Sequence, residues 1–147
     1  MYRACVIVLA VVGASVPMTA AGAACKPSRY QVMGNLVDRT ERPVTDAIVR
    51  VLLDRVSEQE FAKQGPRARL VRTNNSGTYV AMIDCDEASK AGDAPNPCAD
   101  KPKYVTLIVD AVGYRTKVVV HKIKDLELIK DPGGCLILVP DVRLAPG

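Results

Sequence analysis

The chain has 147 residues, a formal net charge of +4 at pH 7, and 48% hydrophobic residues. A chain of this length forms one domain with a substantial hydrophobic core. Lysine and arginine are interspersed with aspartate and glutamate, a distribution that is typical of a solvated surface and argues against a nucleic-acid partner.

The N-terminus has the three regions of a secretory signal peptide. Residues 1–3 form a short basic start, residues 4–16 are uncharged and apolar, and small residues follow Pro17. The apolar run is too short to span a bilayer. This pattern predicts a signal peptide, with a buried N-terminal strand as the alternative.

Ala21-Gly22-Ala23 fits the small-x-small rule for signal-peptide cleavage. We therefore expect a signal peptide over residues 1–23 and a single mature domain over residues 24–147. Cleavage after Ala21 or Ala24 is the alternative. No later stretch is apolar for long enough to cross a membrane. The mature domain is expected in the periplasm or outside the cell, without a transmembrane span.

Cysteine usage agrees with export. Cys5 leaves with the signal peptide, and the mature domain keeps Cys25, Cys85, Cys98 and Cys135. In an oxidising compartment four cysteines predict two disulfides, for which three pairings exist. We favour Cys85–Cys98, which flanks one polar insertion, and Cys25–Cys135, which ties the first strand to the last. A zinc site is disfavoured because no two of these residues have C-x-x-C spacing, and no cofactor is expected.

Seven short runs of β-branched and aromatic residues, separated by turn signals, predict strands. They cover residues 30–37, 47–53, 68–73, 78–83, 104–112, 117–123 and 135–144, the last divided at Pro140. Residues 57–61 and 124–130 have the character of single helical turns. The prediction is an all-β fold, an antiparallel seven-stranded sandwich of the immunoglobulin or transthyretin type.

The central feature of this prediction is the turn Asn74-Asn75-Ser76-Gly77. Asparagine and glycine tolerate the positive φ of tight hairpin loops, so residues 68–73 and 78–83 are expected to form a β-hairpin. A polar insertion over residues 84–103 follows. It contains three prolines and few apolar residues, so it cannot form a core of its own, and the Cys85–Cys98 disulfide is expected to hold its ends.

A spaced motif runs through these strands. It consists of Gly34-x-Leu36-Val37-Asp38, Arg42-Pro43-Val44-x-Asp46-Ala47-x-Val49-x-Val51, Thr73, Ser76-Gly77-x-Tyr79 and Val105-x-Leu107-x-Val109-x-Ala111-x-Gly113-Tyr114. This pattern resembles the carboxypeptidase regulatory-like domains. The resemblance implies a transthyretin-like sandwich that serves as a non-catalytic module, often in exported proteins. The insertion bounded by Cys85 and Cys98 departs from the family pattern, which has a short turn there.

The motif residues have a physical reason to be where they are. They are Gly34, Pro43, Ala47, Gly77, Tyr79, Gly113 and Tyr114. Pro43 fixes φ before the second strand, and Gly77 and Gly113 suit turns. Tyr79 and Tyr114 are expected to place their rings on the core and their hydroxyls at its rim. We interpret all of them as folding residues.

Little in the chain points to catalysis. His121 is the single histidine, and a lone histidine on a strand is usually a polar surface residue. This count argues against two enzyme families with related sandwiches. Intradiol dioxygenases use two histidines and two tyrosines around iron, and hydroxyisourate hydrolases need several histidines and a C-terminal Tyr-Arg-Gly-Ser, whereas this chain ends Leu-Ala-Pro-Gly.

An acidic cluster lies in the insertion, at Asp84, Asp86, Glu87, Asp93 and Asp100. It lacks the ligand spacing and central glycine of an EF-hand loop, so a solvated loop is favoured over a calcium site.

The sequence therefore predicts a non-catalytic binding or scaffolding module, with no catalytic residue and no metal site. It is expected to contact an unknown protein or surface ligand through the Cys85–Cys98 loop and the sheet edges. A lipid-anchored envelope component, acylated at Cys25 and similar to the transthyretin-like lipoproteins of type VI secretion systems, is the alternative. A small transthyretin-like hydrolase is the third hypothesis.

Overall fold

A computed structural model describes residues 28–60, 68–85, 101–131 and 134–147. Within these ranges the chain forms nine strands and one 3-10 turn. They are β1 (Arg29–Val37), β2 (Ile48–Leu52), β3 (Arg69–Arg72), β4 (Thr78–Asp84), β5 (Tyr104–Asp110), β6 (Lys117–Lys122), the 3-10 turn η1 (Ile123–Asp125), β7 (Glu127–Asp131), β8 (Gly134–Leu138) and β9 (Val142–Arg143). The all-β prediction is confirmed, with more strands than the seven expected.

The strands form two sheets. Sheet 1 has the order β4-β1-β8-β7, with β9 also paired to β1, and sheet 2 has the order β3-β2-β5-β6. Sheet 2 is antiparallel throughout. In sheet 1, however, β1 runs parallel to both β8 and β9. The prediction of a purely antiparallel sandwich was therefore wrong, because the C-terminal segment returns alongside β1 in the same direction.

The predicted hairpin around Asn74 was also wrong in its pairing. The turn exists, since the Asn74 side-chain oxygen accepts hydrogen bonds from the backbone N–H groups of Ser76 and Thr78 at 2.9 and 3.0 Å. Gly77 has the positive φ, 70°, that such a turn needs. The flanking strands nevertheless enter different sheets, β3 beside β2 and β4 beside β1. The turn is thus a crossover between the two layers.

The core lies between the sheets and follows the period-2 alternation of the strands. In β1, for example, Tyr30, Val32, Gly34 and Leu36 are buried while the residues that alternate with them are half-exposed. β2 and β5 alternate less clearly, because Leu52 and Ile108 on the outer side of sheet 2 are also buried. Val56, from the segment after β2, packs on these two residues. Sheet 2 is therefore partly covered on its outer face as well.

The two helical predictions had different outcomes. Residues 58–60 form a helical turn, capped where the Ser57 hydroxyl accepts from the Glu60 N–H at 3.2 Å and Glu60 Oε2 accepts from the Ser57 N–H at 2.9 Å. Residues 124–130 instead contain the end of η1 and most of β7, because pairing with β8 overrides local helix propensity. No helix in the described ranges is long and apolar enough to cross a membrane.

Candidate functional site

Tyr79 is the largest fully buried side chain in the described core, with 1% of its surface exposed. It lies on β4 directly opposite Gly34 on β1. A Cβ added at Gly34 would lie 2.5 Å from the Tyr79 hydroxyl oxygen and 2.9 Å from the ring carbon that bears it. The absence of a side chain at Gly34 therefore provides the space that the Tyr79 ring occupies.

The Tyr79 hydroxyl is buried and has no hydrogen-bond partner among the described residues. Burial raises the pKa of Tyr79 above its ordinary value, and the negative charge of Asp141 adds to the increase. The side chain therefore stays a neutral phenol. The expectation that the Tyr79 hydroxyl reaches the rim of the core was therefore wrong, because the hydroxyl is buried. A buried hydroxyl without a hydrogen-bond partner destabilises the fold.

A row of polar side chains lies on the outer side of sheet 1 next to this pair. Thr78 Oγ1 donates to Asn35 Oδ1 at 2.7 Å, and Asn35 Nδ2 donates to Asp141 Oδ1 at 3.1 Å. These bonds link β4, β1 and the residue before β9. The hydrogen bond from Asn35 holds the Asp141 carboxylate beside β1, where its negative charge raises the pKa of Tyr79.

His121 carries the second buried polar atom without a partner, its Nε2. The residue lies on β6, the edge strand of sheet 2, opposite the fully buried Val105. The imidazole as a whole is only half-buried. The exposed part of the ring does not include Nε2, which is buried on the same side of sheet 2 as Val105.

Tyr79 and His121 do not share one site. Tyr79 belongs to β4, which adjoins β3 at one edge of the sandwich, whereas His121 belongs to β6 at the far edge of sheet 2. With neighbouring strands ~4.8 Å apart, β6 and β3 are separated by about 14 Å. The two unpaired atoms are therefore independent features.

Thr106 is a third buried polar residue, on the outer face of sheet 2, with none of its surface exposed. Its hydroxyl donates to the Asp54 carbonyl at 2.5 Å and accepts from the Val56 N–H at 3.2 Å. Beside it the Arg55 guanidinium lies 5.9 Å from the centre of the Tyr104 ring. These contacts fix the segment after β2 against the sheet, so Thr106 has a structural role that the sequence did not reveal.

The motif residues are spread through the sandwich and form no cluster of chemical groups. Pro43 makes an isolated bridge to Val37, Ala47 is fully buried, and Tyr114 bridges to Pro146. Gly113 has φ 84°, with open space where its side chain would be. Their assignment to folding stays a prediction, as does the absence of a catalytic residue.

Two of the four predicted disulfide cysteines can be located. Cys85 and Cys135 are buried and disulfide-bonded, and they lie near the same end of sheet 1, on either side of β1. Cys25 and Cys98 lie outside the described residues, so the pairing stays a prediction.

Of the acidic cluster only Asp84 is described, and it has a bonding partner. Within the described ranges no three histidine, cysteine or acidic side chains gather as metal ligands.

Comparison with solved structures points to dioxygenases. The wild-type catechol 1,2-dioxygenase of Acinetobacter radioresistens matches 83% of this chain and 53% of its own length, at 16% identity and a TM-score of 0.53. Hydroxyquinol 1,2-dioxygenase of Pseudomonas putida DLL-E4 matches 82% of this chain and 57% of its own, at 17% identity and a TM-score of 0.51.

A third match is the dioxygenase domain of a dioxygenase–carbohydrate-binding protein fusion from Streptomyces sp. SirexAA-E. It covers 81% of this chain and 82% of its own, at 9% identity and a TM-score of 0.52. At these identities the likeness establishes a shared fold. The chain spans just over half the length of the first two enzymes. No family model and no curated protein matches the sequence.

These findings correct the assignment to the carboxypeptidase regulatory-like domains. Two of the motif residues occupy positions with an evident structural demand. Gly34 accommodates the Tyr79 ring, and Gly77 has a positive φ in the crossover turn. Such residues identify a fold and do not separate the families that share it. The expected non-catalytic module rested on that assignment and is overturned with it, since the similar solved structures are dioxygenases.

The iron ligand set of intradiol dioxygenases does not fit this chain. That set needs two histidines, and the whole sequence contains one. The unpaired phenol of Tyr79 and the unpaired imidazole of His121 are of suitable types, but they lie on different sheets at distant strands. The residues of this chain therefore do not form that iron site.

Proposed function

We propose that this chain acts as an enzyme of the dioxygenase type on an aromatic diol. The observation that carries the proposal is the likeness of its sandwich to three dioxygenases over more than four-fifths of the chain. The names of the first two specify catechol, which is an aromatic diol, and hydroxyquinol, which is an aromatic triol. Their chemical class is the substrate class that we propose for this chain.

Within this proposal His121 is the residue that meets the substrate. Its ring is half-exposed on an edge strand, and its Nε2 has no partner among the described residues. Nε2 is buried on the inner side of β6, so the diol would have to reach it at the edge of sheet 2, where its phenolic hydroxyl would donate a hydrogen bond to Nε2. Tyr79 is fully buried under the strands and is assigned to folding instead.

The test is substrate-dependent oxygen uptake by the purified, folded chain. Catechol and hydroxyquinol would be supplied separately, with isotopically labelled dioxygen, both without added metal and after incubation with iron. Protein-free solutions of the same composition control for autoxidation of the diol. The expected result is a ring-opened product that contains both atoms of one labelled dioxygen molecule, formed faster than in the controls.

Two variants locate the chemistry. His121→Gln is expected to lower the rate about a hundredfold, the lower end of what general-base catalysis contributes. Val120→Gln is the matched control, because Val120 is the exposed neighbour on β6 with 41% of its surface accessible. If the folded wild-type chain neither binds nor oxidises either diol under any of these conditions, the proposed function is wrong.

We also propose that the chain is exported and carries the pairs Cys25–Cys135 and Cys85–Cys98, the latter bounding the polar insertion. Cys85 and Cys135 are each disulfide-bonded in the structure, which supports the proposal of two disulfides. The intact mass of the natively exported protein, measured before and after reduction, tests both points. A chain that starts at Ala24 and gains about four mass units agrees with two disulfides, and peptide mapping then gives their pairing. An acylated Cys25 would contradict the first pair.

A further inference from the structure

The outer side of sheet 1 is unusually apolar for a surface that faces solvent. Val80 and Met82 on β4 are 44% and 43% exposed, and Ile129 on β7 is 43% exposed. On the two strands between them, Met33, Leu136 and Leu138 are apolar and Gln31 is polar. The face consists of Met33, Val80, Met82, Ile129, Leu136 and Leu138, and we call these six residues the sheet 1 outer face.

The strand register makes this face continuous. Val80 pairs with Met33, which pairs with Leu138, so these three side chains form one row across the sheet. In the next row Met82 and Leu136 flank Gln31, and Ile129 pairs with Leu136. Paired residues point to the same side of a sheet. The four strands therefore present six apolar side chains on one side of the sheet, together with Gln31 between Met82 and Leu136 and the exposed Glu127 beside Leu138.

Polar residues border the face at both ends of the strands. At one end is the hydrogen-bonded row of Thr78, Asn35 and Asp141. At the other end is Arg29, whose side chain extends over Gly134 on the neighbouring strand. The Arg29 guanidinium makes no hydrogen bond or ion pair among the described residues, and the Asp84 carboxylate, which has a partner of its own, lies across from it on the same side of the sheet. A cation thus lies at one end of the face and the Asp141 carboxylate at the other.

We propose that the sheet 1 outer face is the interface between two copies of this chain. The two-fold axis would lie in the plane between the two sheets and run perpendicular to the strands. It would place each strand of one copy over the same strand of the other copy, with the two strands running in opposite directions. The apolar rows then meet each other. The same rotation places Arg29 of each copy over the Asn35–Asp141 end of the other, so two opposite charges meet at both ends of the interface.

The dimensions of the face set the expected affinity. Four strands ~4.8 Å apart and two apolar rows that lie two residues apart cover roughly 14 by 7 Å, and the polar ends at Arg29 and Asn35 extend the contact to roughly 14 by 20 Å. Such a face lies at or below the lower end of specific protein–protein interfaces, which bury about 1,200 Å² in total. The dimer is therefore expected to be weak, with a dissociation constant in the micromolar range or above, and to dissociate on dilution.

Sedimentation velocity of the full chain over a concentration series tests the proposal. Val80→Lys introduces a charge on the face in both copies and is expected to raise the dissociation constant about a hundredfold or more. Leu70→Lys is the matched control, because Leu70 is 52% exposed on β3 of the other sheet. This control variant should dimerise like the wild type. Circular dichroism establishes that each variant is folded.

The charges at the two ends give a second, independent test. Arg29→Glu is expected to weaken the dimer about threefold to tenfold, and the double variant Arg29→Glu/Asp141→Arg is expected to recover most of that loss. A wild-type chain that stays monomeric at the highest concentration overturns the proposal, and so does a dimer that Val80→Lys leaves intact. A monomer in which Met82 resists peroxide oxidation also overturns it, because the chain itself would then cover the face.

Discussion

Substituting Gly34 by alanine would place a methyl group in the space that the Tyr79 ring occupies. The new Cβ would lie 2.5 Å from the hydroxyl oxygen, 2.9 Å from the adjoining ring carbon and 3.2 Å from the next. The ring is 1% exposed and cannot move into solvent. Overpacking of a rigid core costs about 1–3 kcal/mol, and three close atoms place this site in the upper half of that range.

A smaller effect acts in the opposite direction. Alanine restricts the unfolded chain more than glycine does, which stabilises the native state by about 0.4–1 kcal/mol. The net loss in the free energy of unfolding is therefore expected to be about 2 kcal/mol. Urea unfolding followed by circular dichroism is the suitable assay, since the chain contains no tryptophan for fluorescence.

A double-mutant cycle shows whether the loss comes from the Tyr79 contact. Tyr79→Phe removes the oxygen that approaches most closely and also removes an unsatisfied buried hydroxyl, so alone it should be neutral or stabilising. Combined with Gly34→Ala it should recover about 0.5–1.5 kcal/mol beyond additivity. Gly113→Ala is the control, because its cost arises from φ 84° with no atom within 4 Å. Equal losses at Gly34 and Gly113, without coupling to Tyr79, would refute the reasoning.

Two further predictions follow from hydrogen bonds in the described residues. Thr73→Val removes a buried hydroxyl that donates to the Val44 carbonyl at 2.8 Å and accepts from the Ala47 N–H at 3.0 Å. The free energy of unfolding in urea should fall by about 2–3 kcal/mol. The control variant Thr116→Val, at an exposed site, should lower it by less than about 0.5 kcal/mol. The hydroxyl of Thr40 and then the backbone N–H of Arg42 lower the pKa of Asp38 from 3.8 to about 2. Because the folded state favours the charged carboxylate, this stabilisation is present above pH 3.8 and is lost as the pH falls toward 2. NMR titration of Asp38 should give a pKa near 2. The free energy of unfolding of Asp38→Asn should fall less between about pH 4 and pH 2 than that of the wild type.

Local patterns were sufficient to predict most strands. The alternation of Tyr30, Val32 and Leu36 defined β1 to within one residue, and the run from Tyr104 defined β5 except at its end. Val112 was included in that strand, but it is fully exposed after the strand has ended at Asp110. A strand end depends on where its partner ends, and that information is absent from the local sequence.

Topology was harder to predict because it depends on contacts between distant parts of the chain. The parallel pairing of Tyr30 with Cys135 joins opposite ends of the domain, and no local signal encodes it. The Asn74 turn was recognised correctly as a turn, yet turn chemistry does not state which sheet the next strand joins. The apolar outer residues such as Val80 and Met82 were visible in the sequence, but only the register places them side by side.

For the candidate site, the sequence gives the number of histidines, whereas only the structure shows the surroundings of His121. That the chain has one histidine is certain from the sequence, and no arrangement of strands can supply the second that an intradiol iron site requires. Whether that histidine has a free nitrogen depends on its neighbours on β5 and β6, and the structure finds Nε2 without a partner. The enzyme-like fold and the incomplete ligand set together make His121 the residue at which the proposed activity is most directly tested. Loss of oxygen uptake in His121→Gln, but not in Val120→Gln, would mean that the chain performs its chemistry with a site unlike the two-histidine one.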